Sequence, residues 1–357
     1  MTTISNTPTD PHATRTLAAK VRGEALDRSA LDHATRLIHR VCCFAGETDL
    51  IEEIRTDNDV IRSAVNEHDT PVVFDWVMST LSYQGISDRV AHDYMEQHGR
   101  IRWHEVERAV ANNPSCPKLH SYWQFHGCQY HKTSQTCAEP DHFAHCPLPT
   151  HNMRNGRLNQ TAYSLYLFIR DIADNDLVGW IGGQLASAAA PVDVNRVGRM
   201  REALLEPLRH VYGVSDKVLN MALSVLLMAV PKKMRPWAEV GAGMIAIDTL
   251  VHNFLVRTGI LRRFSTDHAY GPACYQPGGC AEIIQIVAEQ IDAQQFNPRF
   301  PNNFPRFVQH AIWRYCAENG LDVCNGNRIN DDTRCDNIYC RVQPMCDRVA
   351  LRSNAND

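Results

Sequence analysis

Two positions in the middle of the chain combine a reactive side chain with the predicted start of a helix. Gly213 separates two stretches of helical apolar periodicity, and Lys217 falls on the first turn of the second stretch. An apolar run over residues 244–247 ends in Asp248, which opens another such stretch. An amine that a helix N-terminus deprives of its proton can attack C1′ of a sugar, and a carboxylate can stabilise a sugar cation. The two side chains predict Schiff-base chemistry in a shared cleft.

The turn at Gly213 is also a candidate phosphate site. A glycine turn between two helices leaves the first amides of the second helix without intrahelical partners, and these amides can bind a phosphate without any positive charge. Two plainer alternatives remain open from the residues alone. The turn can be an ordinary corner between helices, and Lys217 can be a surface lysine.

The composition bounds the classes of protein to which the chain can belong. It has 357 residues, which allows two domains, and a net charge of −4. Such a charge gives no support to nucleic-acid binding through bulk charge, so any such contact requires main-chain amides and a local basic face. Candidates for that face are Lys232, Lys233 and Arg235, or Arg262 and Arg263.

No part of the sequence predicts a membrane span or a secretion signal. Apolar runs stay below 18 residues, and the polar first 16 residues, which we expect to be disordered, lack the apolar stretch of a signal peptide. We therefore expect an intracellular protein, cytoplasmic or nucleoid-associated, without a membrane partner.

The periodicity of apolar residues predicts an all-α fold. Helical patterns cover residues 17–66, 70–81 and 161–181, with a break at Thr70-Pro71, and alternating strand patterns are scarce. Residues 113–156 differ because they are rich in Cys, His and Pro and have little periodicity.

Three segments resemble the helix-hairpin-helix DNA glycosylases of the endonuclease III type, and they follow one another along the chain in the same order as in that family. Residues 213–217 read Gly-Val-Ser-Asp-Lys, residues 245–249 read Ile-Ala-Ile-Asp-Thr, and residues 81–84 read Leu-Ser-Tyr-Gln, followed by Asp88. In that family a Gly-Val-Gly-x-Lys hairpin precedes a Val-Asp-Thr-His helix start, and a Leu-Ser-x-Gln segment lies upstream. The resemblance runs from about residue 70 to 346 and is interrupted by insertions.

The resemblance implies two helical domains and a role for each matched side chain. A six-helix domain over residues 70–246 would carry the hairpin, and residues 17–69 with 247–357 would form the second domain. Lys217 would be the nucleophile, Asp248 its electrostatic partner and Gln84 the wedge that fills the space of a flipped base. Gly213 and Ser215 would contact the DNA backbone.

The chain departs from the family pattern in three places. Ser215 replaces the second hairpin glycine, Leu250 replaces the histidine after Asp-Thr, and about a dozen extra residues, including residues 231–237, separate Lys217 from Asp248. The extra loop bears on the pairing of the two side chains and on the shape of the pocket.

A C-terminal series of cysteines predicts a metal centre. Four thiolates are the ligand set of a [4Fe–4S] cluster, and zinc is the alternative ion for such a set. The resemblance to the family's cluster loop favours [4Fe–4S], although only the last spacing matches. The expected ligands are Cys324, Cys335, Cys340 and Cys346, with Cys316 as the alternative first ligand.

The insertion over residues 113–150 holds a second group of Cys and His residues. Its density of ligands, in a segment expected to have no core of its own, predicts one structural zinc ion. The expected ligands are Cys116, Cys128, Cys137 and Cys146, and the alternative is a loop with free thiols. Four further cysteines lie apart from both groups, and of these Cys42 and Cys43 are expected to be small buried side chains.

These patterns together lead to one main hypothesis and three alternatives. The main hypothesis is a monomeric DNA glycosylase with lyase activity that flips and excises a damaged or modified base from duplex DNA. The alternatives are a non-catalytic DNA-binding protein that keeps the hairpin, a glycosylase that uses Asp248 and water, and a redox protein. The sequence does not identify the base.

Overall fold

The computed structural model describes residues 28–47, 49–83, 88–112, 116–125, 128, 157–230 and 234–352. All regular secondary structure in these residues is helical, which confirms the all-α prediction. The α-helices of the described residues are, in chain order, α1 (Arg28–Ala45), α2 (Leu50–Asp57), α3 (Asp59–Glu67), α4 (Thr70–Leu81), α5 (Asp88–His98), α6 (Trp103–Asn112), α7 (Arg157–Asp171), α8 (Leu177–Ala188), α9 (Arg196–Leu208), α10 (Asp216–Ala229), α11 (Arg235–Ala242), α12 (Thr249–Arg257), α13 (Ile260–Arg263), α14 (Cys280–Ala288) and α15 (Pro305–Cys316).

Two compact units divide the chain. The middle unit spans Asp49–Ala246, and the terminal unit combines the two chain ends, Met1–Thr48 and Ile247–Asp357. The division after Ala246 coincides with the expected domain border, whereas the expected border after residue 69 differs from the division after Thr48. Helices α2 and α3 precede residue 70, yet both pack against α10 of the middle unit. Their buried apolar residues, such as Ile54 and Ile61, explain this assignment.

Helix α10 is the central helix of the middle unit. It packs against α2, α3, α4, α9 and α11, and its side chains from Val218 to Ala229 are mostly buried. The apolar stretch over residues 221–230 therefore lies in a core helix that is covered on several sides. Among the described residues, no helix combines the length and the apolar character needed to cross a bilayer.

The break at Thr70-Pro71 is the start of a helix. Pro71 lies in the first turn of α4, where its missing amide costs no hydrogen bond, and Asp69 caps the helix by accepting from the Val72 amide at 3.2 Å. Residues 161–181 form parts of two helices. The turn between them places Asp174 and Asn175 in the left-handed region, with φ of 49° and 59°.

The first part of the Cys-rich insertion packs into the core, contrary to the expectation that it has none. Two short 3₁₀ helices, Pro117–Leu119 and Tyr122–Phe125, lie there, and the second packs on α7. The rings of Tyr122 and Phe168 are 5.3 Å apart, and Phe125 is fully buried. Aromatic side chains in a short aperiodic run supply this packing, which periodicity does not reveal.

The terminal unit is built around α15, which packs against α1, α12 and α14. Cys42 lies on the buried side of α1, whereas Cys43 is exposed, so the expectation that both are buried was wrong for Cys43. Consecutive helical residues point about 100° apart, so two adjacent cysteines seldom share one face.

Candidate functional sites

The predicted hairpin is formed by α9, a turn and α10. Gly213 is exposed and has a φ of 77°, a conformation that favours glycine, and Lys217 lies on the first turn of α10 with a half-buried side chain. A hydrogen bond anchors the turn to α7, because the Tyr212 amide donates to the Ser164 hydroxyl at 2.9 Å. A fixed turn presents Lys217 and the first amides of α10 in a defined position.

Ser215 fits the hairpin without backbone strain. It is the residue before α10, with φ and ψ of −102° and 153°, an extended conformation open to any residue. Its side chain is exposed and does not cap the helix. The neighbouring Asp216 carboxylate accepts from Arg209 Nε at 2.7 Å, which balances the negative charge at this helix start.

Asp248 caps helix α12. Its Oδ1 accepts a hydrogen bond from the Val251 amide at 2.9 Å, so the carboxylate is fixed at the helix N-terminus. The half-buried Arg306 on α15 lies within electrostatic reach of Asp248. Burial lowers the pKa of Arg306 to about 10, so its guanidinium remains a cation at neutral pH beside the carboxylate.

The residues that the sequence predicts to act together lie in different parts of the chain. Lys217 belongs to the middle unit and Asp248 to the terminal unit, so their pairing stays a prediction. Gln84, the predicted wedge, lies outside the described residues, as do Lys232 and Lys233 of the candidate basic face. Two other candidates for that face are paired on the surface. Arg235 bonds to Glu239 at 3.1 Å, and Arg263 bonds to Asp347 through two nitrogens at 2.7 and 2.9 Å.

The structure brings the C-terminal cysteines together. The thiols of Cys340 and Cys346 lie within electrostatic reach of those of Cys324 and Cys335. Cys316, the last residue of α15, faces Cys324, and burial raises its pKa well above the usual range. Thiolates that are brought together in this way are a ligand set for either a [4Fe–4S] cluster or a zinc ion.

A buried arginine lies beside these cysteines. Arg257, the last residue of α12, is 2% exposed and forms an ion pair with Asp331. The Arg257 Nε and Nη1 atoms are buried without a hydrogen-bond partner in the described residues. Its carbonyl oxygen lies 3.5 Å from the Cys346 sulfur. A buried cation with unused donors favours a negatively charged neighbour over four neutral thiols.

The second predicted zinc site lies only partly in the described residues. Cys116 is buried and Cys128 is half-buried, whereas Cys137 and Cys146 lie outside the described residues. The Gln160 side chain of α7 donates to the Cys128 carbonyl at 3.2 Å. This segment reaches the hairpin, because the ring of Phe125 lies 6.5 Å from that of Tyr212.

A compact group of ligands that the sequence did not predict lies in the terminal unit. The ligand atoms of His252, His268, Cys274 and Cys280 all lie within 4.8 Å of one another. His252 is on α12, Cys280 begins α14, and the other two lie in the loop between α13 and α14. Cys274 and Cys280, which lie apart from both predicted clusters in the sequence, are therefore neighbours in a third one.

Hydrogen bonds connect the members of this third cluster. His252 Nδ1 lies 3.4 Å from the Cys280 sulfur and 3.5 Å from the Cys274 sulfur, and His268 Nε2 lies 3.4 Å from the Cys280 sulfur. The hydrogen bond from Cys280 lowers the pKa of Cys274 to about 4, although burial opposes the shift. The hydrogen bonds within the cluster thus favour the thiolate form of Cys274, which is the form of cysteine that binds metals.

Three arginines of the terminal unit form a basic surface that the sequence did not predict. Arg36 and Arg40 on α1 and Arg341 of the cysteine loop line an open cavity of about 500 Å³. The guanidinium groups of Arg40 and Arg341 lie 4.8 and 4.6 Å from the centre of the Phe44 ring. Arg341, in the segment between Cys340 and Cys346, therefore lies close to the arginine side chains of α1.

Comparisons of the chain with protein-family models, curated proteins and solved structures find no match. The chemistry of the residues described above is therefore the basis for assigning a function.

Proposed function

We propose that the protein is a DNA glycosylase with lyase activity, in which Lys217 forms a Schiff base with the sugar of a flipped nucleotide. The observation that carries the proposal is the position of Lys217, on the first turn of α10 and shortly after the positive-φ turn at Gly213. The turn amides bind DNA phosphate and the lysine attacks the adjacent sugar.

The hairpin contributes binding through its backbone. The exposed Gly213 allows a phosphate to approach the main chain closely, because no Cβ intervenes. The Ser215 hydroxyl does not cap the helix and adds a side-chain donor at the position where the family has a glycine. Since Asp216 is neutralised by Arg209, it does not repel the phosphate.

The chemical step uses the lone pair of the Lys217 amine, which becomes available when the amine gives its proton to solvent. Its Nζ attacks C1′, the bond from C1′ to the base breaks, and the base leaves with the bonding electrons and takes a proton. Loss of the proton on nitrogen and opening of the sugar ring give the imine. Removal of a C2′ proton then expels the 3′ phosphate, and water releases the lysine. A positioned carboxylate lowers the barrier by stabilising the positive charge that develops on the sugar.

Asp248 is suited to that electrostatic role. It is fixed by its hydrogen bond to Val251, and the cationic Arg306 lies within electrostatic reach of it. A carboxylate that a protein holds in place needs no reorganisation while the sugar cation forms.

The C-terminal cysteines fit a [4Fe–4S] cluster. Cys324, Cys335, Cys340 and Cys346 would hold it, and the unused donors of the buried Arg257 favour the negative charge that four thiolates bring. Such a cluster would serve a structural role, fixing the loop that carries Arg341.

The basic surface of Arg36, Arg40 and Arg341 supports DNA binding in spite of the net charge. None of the three forms an ion pair with another described residue, and all three line one cavity. Binding of DNA depends on local positive charge, because each phosphate neutralised releases a counterion.

Borohydride trapping on a duplex with an abasic site tests the proposal without knowledge of the base. Wild-type protein is expected to give a covalent adduct, and Lys217→Ala is expected to lose it. The double variant Lys232→Ala/Lys233→Ala is the matched control and should still be trapped. An adduct that survives in Lys217→Ala would refute the assignment of the nucleophile.

A second experiment defines the substrate and separates the alternatives. Duplexes with oxidised, deaminated, alkylated and naturally modified bases are incubated with the protein, and base release and nicking are measured. Base release without an adduct would indicate a glycosylase that uses Asp248 and water. Binding to every duplex without base release would indicate a non-catalytic DNA-binding protein.

A further inference from the structure

We propose that His252, His268, Cys274 and Cys280 bind one structural zinc ion that is separate from both cysteine clusters. The four ligand atoms come from α12, the loop before α14 and the first residue of α14. Two sulfur and two nitrogen ligands in a compact group are the set that zinc prefers.

The distances between the ligand atoms fit a single tetrahedral ion. Zn–S bonds of about 2.3 Å and Zn–N bonds of about 2.0–2.1 Å at tetrahedral angles require N···S distances of about 3.5 Å. The three described N···S distances are 3.4, 3.5 and 3.4 Å. A two-iron cluster would need its histidine and cysteine ligands on different irons, and therefore further apart.

The imidazole of His268 is oriented as a ligand. Its Nδ1 lies 2.6 Å from the Thr266 carbonyl oxygen, which can only accept, so Nδ1 carries the proton and donates. This leaves Nε2 as the ring nitrogen available to bind a metal, and it lies 3.4 Å from the Cys280 sulfur. Metal-binding histidines commonly have such a hydrogen bond from the second ring nitrogen.

Burial points to a structural ion rather than a catalytic cysteine. Cys274 and Cys280 are fully buried, and His252 is 4% exposed. A nucleophilic cysteine needs access to its substrate, whereas a structural zinc site is closed by four protein ligands. The pairing of two sulfurs with two imidazoles also exceeds what a cysteine nucleophile requires.

The backbone allows the two cysteines to approach. A Cβ on Gly279 would lie 2.3 Å from the Ala273 carbonyl oxygen, so only glycine permits the chain to pass this close to Cys274. Gly278 has a φ of 80°, a conformation that favours glycine, in the turn just before α14 and its first residue, Cys280.

The ion would fix the residues around Asp248. His252 lies one turn after Asp248 on α12, and Tyr275 follows the ligand Cys274. The Tyr275 hydroxyl accepts a 2.7 Å hydrogen bond from the amide of Ile247, the residue before Asp248. The metal would therefore hold the chain on both sides of Asp248. The importance of this effect for catalysis rests on the proposed function, whereas the metal site itself does not.

Metal analysis of the full chain tests the site. The variant Cys274→Ala/Cys280→Ala is expected to contain one zinc fewer per chain than wild type, with its iron unchanged. Cys43→Ala removes an exposed cysteine outside the three clusters and should keep the wild-type zinc content. Equal zinc in wild type and the double variant, or loss of iron in its place, would overturn the proposal. Neither result depends on DNA glycosylase activity.

Alkylation of the wild-type protein covers the case in which the double variant does not fold. Cys274 and Cys280 should resist alkylation in native protein and react after a zinc chelator is added, as peptide mass spectrometry would show. Replacement of the zinc by Co²⁺ should give the visible absorption of a tetrahedral site with two thiolates. A disulfide between Cys274 and Cys280 in freshly purified protein, or alkylation that the chelator does not change, would contradict a zinc site.

Discussion

The Tyr275 hydroxyl and the Ile247 amide are joined by a 2.7 Å hydrogen bond, which anchors the backbone directly before Asp248. The anchor reaches from the loop that carries Cys274 to the start of α12. Tyr275 is therefore a positioning residue for Asp248, since it holds the carboxylate through the backbone and not through direct contact.

Tyr275→Phe is expected to slow base release roughly fivefold, because removal of one such hydrogen bond costs about 1 kcal/mol. DNA affinity should stay within about twofold of wild type, since the hydroxyl is proposed to act on the position of Asp248 alone. Single-turnover base release and equilibrium DNA binding are the measurements. Tyr339→Phe, which removes an exposed hydroxyl elsewhere in the terminal unit, is the control. Equal losses in rate and in affinity would indicate a general structural effect.

Asp248→Asn is expected to bind substrate DNA normally and to lose base release by roughly 100-fold or more. The asparagine side chain can still accept from the Val251 amide, so helix α12 keeps its cap and the loss reflects charge. Circular dichroism and the melting temperature check that the variant is folded. Unchanged turnover would remove Asp248 from the mechanism.

Features that depend on a few neighbouring residues could be predicted from the sequence, whereas features that depend on contacts between distant residues could not. The turn at Gly213 and the helix starts at Lys217 and Asp248 could be predicted because a helix start depends on a few adjacent residues. The His252 cluster was missed because its spacing, with 15, 5 and 5 residues between successive ligands, has no close Cys pair, and because tertiary packing unites its elements.

Two other features that the sequence predictions missed have the same physical origin. The pattern over residues 116–125 indicates a segment without a core, yet Phe125 is buried and the segment packs on α7 through aromatic contacts. The basic cavity joins Arg36 to Arg341, which are far apart in the chain. Pattern and spacing along a sequence describe the elements well and the contacts between distant elements poorly.

Arg36→Ala/Arg341→Ala is expected to weaken binding to duplex DNA and to lower the dependence of log Kd on log salt by about 2, one for each phosphate that the variant no longer neutralises. The measurement is fluorescence anisotropy across a salt series. Arg62→Ala is the control, because that residue forms an ion pair with Asp59 on α3 and lies outside both candidate basic faces. A salt dependence equal to that of wild type would exclude the cavity from the DNA-binding surface.

Asp176 is expected to contribute stability that depends on pH. Burial opposes the shift, but hydrogen bonds from the Gly179 amide and His68 lower the pKa of Asp176 below its usual range. Its contribution is therefore present above the unfolded pKa of about 3.9 and is lost as pH falls through the lower folded pKa. Asp176→Ala should lose about 1 kcal/mol at pH 7 and less in acid. Urea unfolding at several pH values tests this, with the exposed Asp93→Ala as control.

Cys324→Ser is expected to lose the iron of the C-terminal cluster, whereas Cys316→Ser is expected to keep it. Both thiols are buried, but Cys346 lies within electrostatic reach of Cys324 and of the other two ligands, whereas Cys316 faces Cys324 from the end of α15. Protein purified without oxygen should contain four irons per chain and absorb near 400 nm, roughly as such clusters do. Iron analysis and absorbance of the two variants distinguish the ligand from its neighbour. Loss of iron in Cys316→Ser but not in Cys324→Ser would reverse the assignment, and zinc without iron in the wild type would rule out the cluster.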